Sequence, residues 1–110
     1  MTTIETKHID ELKSVIIDDY ARFISRGVAL TDEEKAERVS KFSQMQVTEG
    51  KLYYKVCNQR GGVWGFIVKK DGGKFKTGDI LKAASWSSPA KNFARGNIFS
   101  NLSHFQWTGA

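Results

Sequence analysis

Between Ile9 and Arg26 the apolar residues Ile9, Leu12, Ile16, Tyr20 and Phe23 recur at steps of three and four, the spacing of one helix face. Val15, Ile17 and Ile24 widen that stripe. Asp10 and Glu11 stand near its start and Arg22 and Arg26 near its end, as the helix dipole favours. Gly27 is placed to end it, so the pattern predicts a helix over about 8–26. Thr31-Asp-Glu-Glu34 is a capping box, in which the hydroxyl and the carboxylate each accept from the other residue's amide. Ala36, Val39 and Phe42 then mark a narrower stripe, which predicts a second helix over about 32–47, antiparallel to the first across a short link.

At Gly50 the period drops to two. Leu52, Tyr54 and Val56 alternate with Tyr53, Lys55 and Cys57, which predicts a strand over about 51–58. Gln59-Arg60-Gly61-Gly62 reads as a tight turn. Val63 to Lys70 reads as a second strand with Trp64, Phe66 and Val68 on one side. Asp71-Gly72-Gly73 is a further turn, and Lys74-Phe75-Lys76-Thr77 is either a basic loop or an extension of the hairpin. Gly78-Asp79 leads into a third strand over about 80–85. Ser88 and Pro89 read as the cap and first residue of a short helix running to Ala94 or Arg95, and His104-Phe-Gln-Trp107 as a last strand.

These elements add up to an α+β fold, an N-terminal helical hairpin packed on a small antiparallel β-meander. A chain of 110 residues is expected to form one domain over 1–110, with a helical half at about 8–47 and a sheet half at about 51–107. The helices should cover a sheet face carrying some of Trp64, Phe66 and Val68.

Charge divides the chain where the period changes. Residues 1–50 hold seven Lys/Arg and ten Asp/Glu, a net of −3; residues 51–110 hold ten Lys/Arg and two acids, Asp71 and Asp79, a net of +8. The sum is the net +5 of the whole chain. One half is therefore suited to anions. The single cysteine, Cys57, rules out an internal disulfide and reads as a small apolar strand residue. With only His8 and His104 beside it, the ligand set for a thiolate zinc site is short, and no cofactor or metal is implied. The N-terminus has no apolar leader and no run reaches the roughly 18 residues of a spanning helix, so a soluble, intracellular protein without a membrane partner is expected.

No nucleophile elbow, phosphate loop or metal-ligand cluster occurs, and the chain does not read as an enzyme. The glycine pairs Gly61-Gly62 and Gly72-Gly73 read as hairpin geometry rather than a phosphate cradle. The basic half interleaves cations with rings: lysines neutralise phosphates and flat rings offer a stacking platform to unpaired bases. The residues placed for this are Lys82, Trp86, Lys91, Arg95, Asn97, Lys69 and Lys70.

The run Leu81-Lys-Ala-Ala-Ser-Trp86, followed by Pro89-Ala-Lys91 and Ala94-Arg-Gly-Asn-Ile-Phe99, resembles a segment of short, uncharacterised tailed-phage proteins. The likeness covers about 40 residues, roughly Val63 to Phe99, and departs from the pattern in Lys74–Thr77 and in Ser87-Ser88. It implies a viral origin and a host-cytoplasmic setting, with no activity attached. Two functions follow. One is a phage accessory protein that holds nucleic acid or a nucleotide on its basic, aromatic surface. The other is a phage-encoded inhibitor of a host or anti-phage defence protein, of the anti-CRISPR kind, whose acidic helical face (Asp18, Asp19, Glu33, Glu34 and Glu37) imitates nucleic acid. A spare strand edge and the aromatic loop also suit a homodimer.

Overall fold

The structure is a computed structural model that describes residues 4–27, 29–58, 62–100 and 102–110. Two helices, α1 (Thr6–Gly27) and α2 (Asp32–Phe42), precede five strands: β1 (Gln46–Glu49), β2 (Tyr53–Cys57), β3 (Val63–Val68), β4 (Asp79–Lys82) and β5 (Gly96–Asn97). The strands form one antiparallel sheet in chain order β1-β2-β3-β4-β5, so the fold is α+β.

Most of the α1 stripe is buried, with Leu12, Ile16 and Ile24 sealed and Ile9, Val15, Ile17 and Tyr20 packed beside the core, but Phe23 at its end stays exposed against Trp107. At the start of α2 the Glu34 amide donates to Thr31 Oγ1 and the Thr31 amide donates to Glu34 Oε1, both at 3.1 Å. These bonds hold the Glu34 carboxyl below the usual carboxylate range, the Thr31 backbone amide being the main cause. The helix stops at Phe42, not at 47. Ser43 and Gln44 form a turn, Met45 is buried, and Gln46–Glu49 pair with β2, so the β-branched Val47 and Thr48 end up in a strand. The other strands are shorter than their apolar runs suggest, at 53–57, 63–68 and 79–82. The turn expected at Gln59-Arg60-Gly61-Gly62 lies outside the described residues except for Gly62, whose amide donates to Asn58 Oδ1 at 3.0 Å.

A bulge decides how the sheet faces are populated. Cys57 pairs with Val63 and Val56 with Gly65, which leaves Trp64 as the extra residue. Trp64 therefore turns to the face opposite Phe66 and Val68, a correction to the simple alternation. It joins Val56, Ile67 and Ile80 in the helix-side core, together with Leu12, Ile16, Phe42 and Met45. Phe66, Val68 and Leu81 form a smaller cluster on the other face, with Tyr53, Val63, Phe75, Ala83 and Ala94 against it.

The C-terminal tail holds the bulge from the helix side. Trp64 Nε1 donates to the Gln106 carbonyl at 2.8 Å, and the Ala110 amide donates to the Trp64 carbonyl at 3.1 Å. The Trp107 amide donates to Asp19 Oδ2 at 2.9 Å, and its ring meets Tyr20 edge-on with centroids 5.0 Å apart. The tail is thus not the strand expected at 104–107. It spends the amides of Trp107 and Ala110 on Asp19 and Trp64, and among the described residues its one bridge is Gln106 to Gly109.

One open choice is resolved and one further expectation changes. Lys74–Thr77 belongs to a tight turn at the tip of the β3–β4 hairpin, where Gly72 bridges Phe75. Gly78, at φ 90°, donates to the Val68 carbonyl at 2.8 Å, a backbone conformation that favours glycine. The segment from Ser88 to Arg95 is not a helix. Pro89 bridges Ala83, the Ala90 amide donates to the Lys82 carbonyl at 2.7 Å and the Arg95 amide to the Ile80 carbonyl at 2.7 Å. Its donors are taken by the β4 edge, and so short a segment has little helical stability of its own to compete with that.

Candidate functional site

The sheet face turned away from the helices carries the candidate site. Strand pairing sets Lys55 opposite Phe66 and Phe66 opposite Leu81, so the Lys55 side chain emerges on this face beside an apolar floor. The connection from β4 to β5 makes two excursions over it. The first turns at 84–88, where the amides of Ala84 and Ser85 donate to the Ser88 carbonyl at 3.0 and 3.1 Å. It carries Trp86 across β3 to β2, and Lys55 Nζ lies over the indole 3.0 Å from its centroid. The second excursion bows out between Ala90 and Arg95 and bears Phe93. The Arg95 guanidinium carbon sits 4.3 Å from the Phe93 ring centroid, and Lys74 Nζ donates to the Asn92 carbonyl at 2.6 Å.

Both rings stay accessible. Trp86 is 66% exposed and Phe93 is 55% exposed, in a molecule whose other two tryptophans are buried or half-buried. Between the 84–88 turn and the β1–β2 connection lies an open cleft of about 320 Å³. It is lined by Thr48, Leu52, Tyr53, Lys55, Phe66 and Ser87, among others. Tyr53 meets Phe66 edge-on at 5.9 Å, which gives the cleft an aromatic floor.

The electrostatics follow from where the acids are used. Asp71 Oδ1 accepts from the Thr77 amide at 2.8 Å and from the Thr77 hydroxyl at 2.9 Å; the amide is the main cause holding this carboxyl below its usual range. Asp79 Oδ2 accepts from the Lys76 amide at 2.9 Å and Oδ1 from Asn97 Nδ2 at 3.0 Å. The only two acids after residue 50 are therefore committed to turns. Lys51, Lys70, Lys76, Lys82 and Lys91 are exposed and make no ion pair among the described residues.

Of the residues named from sequence, Trp86 and Arg95 come to this face on the β4–β5 connection, and Lys91 is exposed in the same segment. Lys82 pairs with Gly65 and shares the parity of Ile80, which puts it on the helix-side face. Lys69 is bound to Glu49 at 2.5 Å and to the Gly50 carbonyl at 2.9 Å, so its charge serves the β1–β2 turn. Lys70 is exposed at the end of β3. Asn97 is structural: its Nδ2 donates to the Thr77 carbonyl and Asp79, while its Oδ1 accepts from the Phe99 amide at 2.9 Å. Lys55 and Phe93, part of the wider set of interleaved cations and rings in the basic half, also belong to the site. The alternation of β2 already put Lys55 outward beside Tyr53, but the indole above it comes from a loop whose path no local pattern marks.

Three of the five acidic residues named on the helices make contacts of their own. Asp19 accepts from Trp107 and lies 3.6 Å from Arg22, Glu34 closes the capping box, and Glu37 pairs with Lys41 at 3.1 Å. Asp18 and Glu33 are exposed.

The model of one family, described as a family of unknown function (DUF7717), matches residues 3–109. No curated protein and no solved structure matches the chain. Among the described residues no helix is long and apolar enough to cross a membrane.

Proposed function

The chain belongs to the DUF7717 family of unknown function, and we propose that it binds single-stranded nucleic acid or nucleotides on the sheet face away from the helices. The observation that carries this reading is the exposed Trp86 indole beneath the Lys55 ammonium, on a face whose neighbouring acids are occupied elsewhere. A cation beside an accessible ring offers a phosphate contact and a stacking plane within the span of one nucleotide. Arg95 on Phe93 repeats the arrangement on the second excursion of the same connection. Single strands are the favoured ligand because their bases expose the π-faces that a duplex hides.

The resemblance of the 81–99 segment to tailed-phage proteins makes a phage accessory protein in a host cytoplasm the setting of this proposal. The alternative, an inhibitor presenting its acidic helices to a defence protein, keeps Asp18, Glu33, Glu34 and Glu37 on the surface but has, among the described residues, no aromatic-cation pair beside them, whereas Asp19 is taken up by Trp107.

Fluorescence anisotropy with a labelled single-stranded oligonucleotide and its duplex tests the proposal. The single strand is expected to bind more tightly, with Lys55→Gln and Arg95→Gln each weakening it. Equal binding of both forms, or none at low salt, would overturn it. For the alternative, capture of a host protein that persists after nuclease treatment would favour inhibition instead.

A further inference from the structure

Resting on that reading, we propose that the cleft between the 84–88 turn and the β1–β2 connection receives one unpaired nucleobase of the bound strand. The remainder of the face would handle the backbone and stack neighbouring bases on Trp86 and Phe93. The cleft's shape and lining argue for this division. Its volume of about 320 Å³ lies at the lower end of the about 300–1,000 Å³ typical of ligand pockets. That accommodates a single nucleotide and not a base pair. Its floor is Phe66 and the half-buried Tyr53, and Leu52, 55% exposed, stands at its side as an apolar wall.

Polar groups stand where a base edge and its phosphate need them. Thr48 pairs with Lys55 across β1 and β2, so both side chains rise on the cleft's face, and Ser87 supplies a hydroxyl from the loop. Thr48 and Ser87 can each donate or accept, which suits a base edge without demanding one base. Lys55 lines the cleft while lying over Trp86, so one ammonium serves the stacking ring and the phosphate of the inserted nucleotide. Glu49 also lines the cleft, but its carboxylate is neutralised by Lys69, which keeps the anionic ligand from meeting an uncompensated charge.

The test compares a labelled single-stranded oligonucleotide with an abasic strand of equal length and charge, by anisotropy at fixed salt. The wild-type protein is expected to bind the base-bearing strand about tenfold or more tightly than the abasic strand, as loss of base–ring stacking would dictate. Filling the cleft from the β1 side with Thr48→Trp, or from the loop with Ser87→Phe, should cut that preference severalfold, the part that remains being stacking on Trp86 outside the cleft. Two variants on opposite walls guard against misfolding of either, and each is checked by thermal melting. If the wild type binds both strands equally, or if both filled variants keep the full preference, the cleft proposal falls while nucleic-acid binding stands. If neither strand binds, the broader reading falls as well.

Discussion

Replacing Trp86 by alanine separates the two roles that an exposed ring can have. The side chain is 66% exposed, so about a third of its surface is covered. A tryptophan buries about 150–250 Å² when sealed, so a third corresponds to about 50–85 Å², or up to about 2 kcal/mol at 25 cal/mol per Å². The Lys55 contact over the ring contributes about 0.5–1 kcal/mol at such an exposed position and draws in part on the same surface. The total is a minor part of the about 5–15 kcal/mol that holds a domain folded, so Trp86→Ala should remain native at 25 °C. Its melting temperature should fall by up to about 15 °C. Binding is affected more. Stacking of a base on an aromatic ring is worth about 1–3 kcal/mol, so affinity for a single strand should drop by about 5- to 150-fold. The salt dependence should stay the same, because no charge has been removed, whereas Lys55→Gln should make the slope shallower by about 0.7 for one lost phosphate contact. Anisotropy at three salt concentrations, paired with thermal melts, measures all of these. A Trp86→Ala protein that melts normally and binds within twofold of wild type would refute the stacking role.

Two other outcomes test the scaffold. Gly65→Ala would place a Cβ 2.9 Å from the Leu81 carbonyl oxygen and 3.0 Å from the Ala110 Cβ, so β4 or the tail must shift; a loss of about 1–3 kcal/mol in chemical denaturation is expected, and an unchanged midpoint would argue against the bulge packing. The carboxyls of Asp71 and Glu34 lie below their usual range in the folded chain, so their contribution is present above the ordinary carboxylate pKa of about 4 and is lost as pH falls through the lowered folded values. Melts from pH 6 down to pH 2 should show Asp71→Asn losing less stability than wild type over that acid range; parallel curves would contradict the role of the Thr77 bonds.

The helical half was legible because its signals are local. The three- and four-residue steps from Ile9 to Phe23 and the Thr31–Glu34 box fix helix positions without reference to the rest of the chain. The change of period at Gly50 likewise marked the sheet and its meander order. What escaped depends on distant partners. Gln46–Glu49 is short and polar, and becomes a strand only because β2 offers it an edge. The bulge at Trp64 is set by the pairing of Cys57 with Val63 and by the tail that bonds its indole and carbonyl, so strict alternation grouped the ring with Phe66 and Val68, which lie on the opposite face. The candidate site divides in the same way. The exposure of Trp86 and the cationic surplus could be read from residue types, since serines, alanines and a proline surround the ring. That Lys55 meets the indole, while Lys82 turns to the helix side, follows from the loop crossing two strands and from the parity of β4.

Amide chemical-shift mapping measures the location of the ligand surface directly. Titrating a short single-stranded oligonucleotide into labelled protein should shift the resonances of Lys55, Phe93 and Arg95 and the Trp86 indole, with those of α1 and α2 left in place. Shifts confined to the helices around Asp18 and Glu33, or no shifts at saturating oligonucleotide, would contradict it.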